Sequence, residues 1–130
     1  MDIRLKIVQC AHTILSKAGR GGSFPGEIAL RMDPHFIEKF KMPKIVVLVT
    51  GTNGKTTTSN LIAESIRKAG LKVINNRRGD NLNVGIATLL ASNADSHFRI
   101  QADAAVIEVD ELTLYRQFKN LHPTHLVVNN

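Results

Sequence analysis

The stretch Ile45-Val46-Val47-Leu48-Val49-Thr50-Gly51-Thr52-Asn53-Gly54-Lys55-Thr56-Thr57-Thr58 decides the fold class. Its first five residues form a continuous, mostly β-branched run, the composition of a strand buried on both faces. Gly51 and Gly54 then let the backbone turn sharply and carry amide N–H groups inward. From Thr57 to Ala69, Leu61, Ile62, Ser65 and Ile66 share one helical face, and Gly70 stands where a left-handed residue closes a helix. Strand, glycine loop and helix in that order make an anion cradle, because N–H groups of the loop and of the helix start converge on a bound phosphate. In such a cradle Lys55 reaches the β- and γ-phosphates of a nucleoside triphosphate, and the Thr56 hydroxyl is placed to coordinate Mg²⁺. Gly51, Thr52, Asn53, Gly54, Lys55, Thr56 and Thr57 are therefore the candidate nucleotide-binding residues, with ATP and Mg²⁺ as the expected ligands. One departure stands out: the general pattern has glycine at position 49, where this chain has valine.

Outward from the loop, strands and helices alternate. Leu71 to Ile74, Ala104 to Val109 and Thr124 to Val128 read as further strands, with helices over Val84–Ser92 and Leu112–Asn120 between them. That alternation predicts a parallel α/β sheet with right-handed crossovers. Before Lys44 the pattern is helical. Ile3, Ile7, Cys10 and Ile14 fall on one face of a helix over Ile3–Lys17, widened by Leu5, Val8 and Leu15. Gly19 to Gly26 breaks it, Glu27–Met32 reads as a short helical turn, and Asp33-Pro34 opens a second short helix through Phe40.

Glu108, Asp110 and Glu111 follow the third strand, at the end of the sheet where ligands of open α/β folds bind. Alternation places Glu108 and Asp110 on one face. Glu108 sits in an apolar run, and a buried charge there calls for a cation, so Glu108 joins Thr56 as a candidate Mg²⁺ ligand. Asp110 and Glu111 serve equally well as N-terminal caps of the next helix. Arg77, Arg78, Asn81 and Asn83 follow the second strand on the ligand side, either as substrate or nucleotide contacts or as a solvated loop. His12, His35 and His97 have no carboxylate or histidine at ligand spacing, and Pro123 between His122 and His125 argues for a loop rather than a metal pair.

The 130 residues suit one soluble globular domain, 43% hydrophobic and 22% charged. The formal net charge of +6 is compatible with an anionic ligand. With no Trp and a single Tyr, stacking platforms for single-stranded nucleic acid are poorly supplied, so no nucleic-acid partner is expected. No apolar run approaches the ~20 residues that span a bilayer, and the first helix lacks a cleavage site. The single cysteine, Cys10, excludes an internal disulfide framework. On the helical reading it is a buried, inert thiol, and a reducing cytoplasm follows as the expected compartment.

Gly51-Thr52-Asn53-Gly54-Lys55-Thr56-Thr57-Thr58 is more specific than a generic phosphate loop and resembles the ATP-binding signature of the Mur ligase family, which includes folylpolyglutamate synthases. Loops of that family also begin Gly-Thr and usually lack the leading glycine, which accounts for Val49. A strand ending in Glu108, then one ending Val127-Val128-Asn129-Asn130, follow in the family's order. Within the family, Phe24 to Pro34, Gly79 to Gly85 and Glu108-Val109-Asp110-Glu111 look like the MurT type.

The resemblance covers nearly the whole chain, but only the first part of such an enzyme. It implies an incomplete parallel sheet of P-loop NTPase-like Mur ligase central-domain topology over 44–130, preceded by an N-terminal helical segment over 1–43. It also implies that Lys55 and Thr56 serve ATP and Mg²⁺, that Glu108 is a Mg²⁺ ligand, and that a carboxylate is activated as an acyl phosphate and then attacked by ammonia. The implied partners are a glutamine amidotransferase subunit of the GatD type and a lipid II-like acceptor, with at most peripheral membrane contact. Such enzymes continue into a metal-site segment, a Cys-rich zinc-binding insertion and a C-terminal domain. The chain is therefore expected to bind nucleotide without completing a catalytic cycle. Two alternatives remain at this point: another Mur-family ligase of the folylpolyglutamate synthase kind, and a non-catalytic nucleotide-binding remnant.

Overall fold

The computed structural model describes residues 2–19, 22–76 and 82–130. Four strands, β1 (Ile45–Gly51), β2 (Val73–Asn75), β3 (Ala104–Glu108) and β4 (His125–Asn129), form one sheet in the order β2-β3-β1-β4. Every neighbouring pair is parallel. Parallel neighbours need long crossovers, and α3 (Lys55–Lys68), α4 (Asn83–Ser92) and α5 (Glu111–Leu121) provide them. Ahead of the sheet lie α1 (Ile3–Lys17), α2 (Phe24–Met32) and a short 3-10 helix over Phe36–Lys39. This is the α/β parallel sheet with N-terminal helices that the sequence implies.

The core is two layers of apolar contact on either side of the sheet. Val47, Val49, Ala104 and Val106 point to one face and meet Ala63, Ile62 and Ile66 of α3. Val46, Leu48, Ala105 and Ile107 point to the other and meet α1, α2, the 3-10 helix, α4 and Leu121 of α5. The alternation within β1 is why its run is apolar throughout: both faces are covered. Leu5, Val8, Ala29, Phe36, Ile37 and Phe40 belong to the same cluster as the strands, so the N-terminal helices share the sheet's core. β4 is an edge strand, and its Leu126 and Val128 remain exposed.

Three local expectations change. The face of α1 that enters the core is Leu5 and Val8, whereas Ile3, Ile7 and Ile14 are exposed, and so is Cys10. The expected buried thiol is thus a surface thiol. Two apolar stripes compete on this helix, and polar anchors choose between them. Arg4 pairs with Asp33 at 2.9 Å, and the Gln9 side-chain amide donates to Ala91 O and Ala94 O at 3.0 Å each. α2 begins at Phe24 instead of Glu27, because Pro25 suits a first helical turn. Gly26 is tolerated there for a packing reason: a Cβ would lie 1.9 Å from Val84 O, so α2 and α4 touch backbone to backbone. Finally, the short helix expected from Asp33-Pro34 through Phe40 is a 3-10 helix over Phe36–Lys39. Asp33 Oδ1 accepts the His35 N–H at 3.0 Å, a local turn that competes with helical pairing.

Candidate functional site

The strand register assembles the site. Val49 lies beside Glu108 of β3 and Val127 of β4, and Gly51 lies beside Asn129. The phosphate loop, the Glu108 carboxylate and the end of β4 therefore meet at the carboxyl edge of the sheet, where open α/β folds bind ligands.

Gly51 has φ +129°, and a Cβ there would sit 1.7 Å from Asn129 O, so only glycine fits. The next residue returns the contact: Thr52 N–H donates to Asn129 O at 3.2 Å. Gly54 takes the left-handed conformation (φ +76°) at the cap of α3, with no side chain capping the helix. The first intrahelical bond is Thr58 N–H to Gly54 O at 2.9 Å. The N–H groups at the start of α3 thus face the loop, as at any helix N-terminus. No acidic residue occupies that first turn, so the positive end of the helix dipole is left for an anion. Lys55 Nζ lies 2.6 Å from Gly51 O, across the mouth of the loop. Thr56 Oγ1 donates to Glu108 Oε2 at 2.8 Å.

Glu108 is 3% exposed, a carboxylate held inside the protein at the sheet edge. Its oxygen atoms and the Thr56 hydroxyl are a hard-oxygen donor pair, suited to Mg²⁺, which keeps waters and phosphate oxygens in its remaining positions. Among the described residues no cluster of three or more His, Cys, Asp or Glu side chains could hold a metal by itself.

Asparagines complete the site, and sequence reasoning did not single them out for these roles. Asn76, 6% exposed, donates through Nδ2 to Glu108 O and accepts through Oδ1 from Glu108 N–H, both at 2.8 Å. Asn129 Nδ2 donates to Thr58 Oγ1 at 2.6 Å and to Gly54 O at 3.2 Å. Asparagine in a strand-end loop carries no periodic signal, so only the assembled fold identifies these two as struts.

The other sequence candidates separate. Asp110 caps α5, with Oδ1 accepting the Thr113 N–H at 2.7 Å and Oδ2 the Thr113 hydroxyl at 3.1 Å. Glu111 is exposed in the first turn of α5. His122 ends α5 in the left-handed conformation and His125 begins β4, which puts both at the sheet edge opposite the loop. His35 pairs with Glu38 at the surface. Asn83 opens α4, and its Oδ1 is buried without a hydrogen-bond partner among the described residues. Arg77, Arg78 and Asn81 lie outside the described residues.

Comparison with known proteins places the chain in a family. Residues 49–130 match the Mur ligase middle domain. The chain is 34% identical over 120 residues to the lipid II isoglutaminyl synthase (glutamine-hydrolyzing) subunit MurT of Streptococcus pneumoniae, covering 92% of this chain and 26% of that protein. It is 35% identical over 112 residues to the subunit of the same name from Staphylococcus aureus strain COL, covering 85% and 25%. It is also 36% identical over 97 residues to a UDP-N-acetylmuramate–L-alanine ligase of Aquifex aeolicus, covering 65% and 21%. The chain spans about a quarter of the length of the MurT relatives it matches. By its matched domain, its parallel sheet and its loop, the chain belongs to the Mur ligase family, and the part it carries is the middle, ATP-binding domain.

Proposed function

We propose that this chain holds Mg·ATP for a MurT-type amide ligase, in which a carboxylate is activated as an acyl phosphate and then attacked by ammonia. The observation that carries the reading is the Thr56–Glu108 hydrogen bond, which joins the phosphate loop to a buried strand-end carboxylate. A carboxylate at that depth needs a cation, and Thr56 Oγ1 with Glu108 would hold Mg²⁺. The ion, when bound, neutralises charge on the transferring phosphoryl group. The loop amides and the α3 N-terminus orient the triphosphate, and Lys55 sets a mobile positive charge against its outer phosphates. Such chemistry depends on positioning and charge stabilisation, so no nucleophilic side chain is required. Residues 1–43 act in this reading as a helical cover for the sheet.

The names of the MurT relatives bring in lipid II and glutamine hydrolysis, and the family resemblance implies the finer proposal: a D-glutamate α-carboxyl as acceptor, ammonia from glutamine, and a GatD-type amidotransferase partner. Calorimetric titration with Mg·ATP tests the first level. Wild type is expected to bind and Lys55→Ala to bind at least about tenfold more weakly, the scale of a lost charge-assisted contact. Equal binding by both, or by neither, removes the assignment. Co-purification with a glutaminase subunit tests the partner separately.

A further inference from the structure

Helix α1 presents a row that the fold leaves uncovered. Ile3, Ile7, Cys10 and Ile14 follow one another at helical spacing, and the three isoleucines are 69%, 41% and 67% exposed. Single exposed apolar residues are ordinary, but a continuous row of them marks a contact surface. The row cannot turn inward. Leu5 and Val8 are fully buried on the opposite side, and the Arg4–Asp33 pair and the Gln9 bonds to Ala91 O and Ala94 O fix the helix about its axis.

Charge says what covers the row. Beside it run Lys6, Thr13 and Lys17, all exposed, and neither lysine joins an ion pair among the described residues. From Ile3 to Lys17 the helix has no Asp or Glu. Asp2, at the cap, is turned to Arg4 N–H and Lys39. An apolar row edged by lysines on a helix without carboxylates is the pattern that lies flat in a lipid interface, its aliphatic side chains among the acyl chains and its ammonium groups at anionic headgroups. The helix is about 22 Å long at 1.5 Å per residue, enough to lie along a bilayer surface but too short to cross it. Its site would be occupied by lipid as a surface, with no pocket for a single headgroup required.

We propose that α1 is a peripheral membrane-docking helix that seats the domain on an anionic bilayer through Ile3, Ile7 and Ile14, with Lys6 and Lys17 at the headgroups. The proposal does not depend on the nucleotide reading, though it suits a lipid-linked acceptor.

Co-sedimentation with phosphatidylcholine vesicles, with and without phosphatidylglycerol, tests it in the absence of nucleotide, so that its failure leaves the Mg·ATP reading intact. Wild type is expected to pellet with the anionic vesicles only, and less so as salt is raised. Ile7→Glu and Ile14→Glu should each weaken partitioning at least about tenfold. Because both positions face solvent, their circular dichroism and melting should match wild type. Lys6→Glu with Lys17→Glu should remove the preference for anionic lipid. A polarity-sensitive dye on Cys10, the only cysteine in the chain, should shift to the blue on the same vesicles. Failure of wild type to pellet overturns the proposal, as does partitioning by the glutamate variants equal to wild type. A dimer that Ile14→Glu dissociates, without vesicle binding, would instead assign the row to contact between copies.

Discussion

Asn76→Ala is the most informative single change at the site. The Asn76 side chain is buried and spans both polar groups of the Glu108 backbone, at 2.8 Å each way. The reciprocal pairing also fixes the amide orientation, since a flipped amide would set donor against donor and acceptor against acceptor. Truncation strands a buried N–H and a buried C=O, and each stranded group costs roughly 1–3 kcal/mol. An expected loss of about 2–6 kcal/mol follows, a large share of the roughly 5–15 kcal/mol that holds a domain together. Urea unfolding should show the midpoint falling while the slope stays near wild type, because the surface exposed on unfolding is unchanged. A second readout separates bracing of the carboxylate from bulk stability. With Glu108 no longer fixed, Mg·ATP affinity measured well below the unfolding midpoint should fall by about tenfold, or ~1.4 kcal/mol. Asn76→Asp keeps an acceptor for Glu108 N–H but loses the donor and adds an anion, so it should fall at least as far. Stability within about 0.5 kcal/mol of wild type, with nucleotide affinity retained, would refute the bracing role.

Gly51→Ala should cost at least about 2 kcal/mol and remove Mg·ATP binding, because its Cβ would meet Asn129 O in a conformation closed to other residues; a melting temperature near wild type with binding intact would count against the geometry. Gly26→Ala should separate α2 from α4 and cost about 1–3 kcal/mol, yet leave nucleotide affinity within about twofold, since the atoms its Cβ would meet belong to Val84 and Thr88 of α4 and not to the loop. The Asp33 carboxyl is held below its ordinary value by the hydrogen bond from Lys39, then by the His35 N–H and the charges of Lys39 and Arg4, against the opposing effect of burial. A lowered folded-state value means this stabilisation is complete above the unfolded carboxylate value of about 3.9 and is lost as pH falls through the folded one. Thermal melts across the acid range should therefore show a shallower acid limb for Asp33→Asn than for wild type, and limbs of equal slope would contradict the assignment.

The sheet and the loop were legible in the sequence because their signals are redundant. β1 is apolar from Ile45 to Val49 and covered on both faces, and its last residue Gly51 and the following Gly54 sit at sterically closed or left-handed positions. The bounds of α1 were legible too, but not its orientation. Ile3-Ile7-Cys10-Ile14 and Leu5-Val8-Leu15 are both apolar stripes, and periodicity gives no reason to prefer either. Long-range polar contacts from Arg4 and Gln9 break that tie. For Asp110 the sequence offered both the face of Glu108 and a cap of the next helix, and the structure shows the cap. Glu108 itself was legible because a carboxylate at the end of an apolar strand is already anomalous.

What the sequence concealed is how the site is held where regular pairing stops. β2 ends at Asn75, opposite Val106, two residues short of Glu108. Asn76 continues the ladder with its side chain, meeting the N–H and C=O that a longer strand would have met with its backbone. On the other side Asn129 does the same for the loop, taking the Thr52 N–H with its carbonyl while its amide holds Gly54 O and Thr58 Oγ1. Each half of the grip is thus braced by one asparagine from a neighbouring strand, and Thr56 joins the halves through Glu108. Side-chain amides suit this task, since one planar group offers a donor and an acceptor at the spacing of a peptide unit. Lys55 instead donates to Gly51 O at 2.6 Å across the loop, a contact that the proposed nucleotide reading exchanges for one to phosphate.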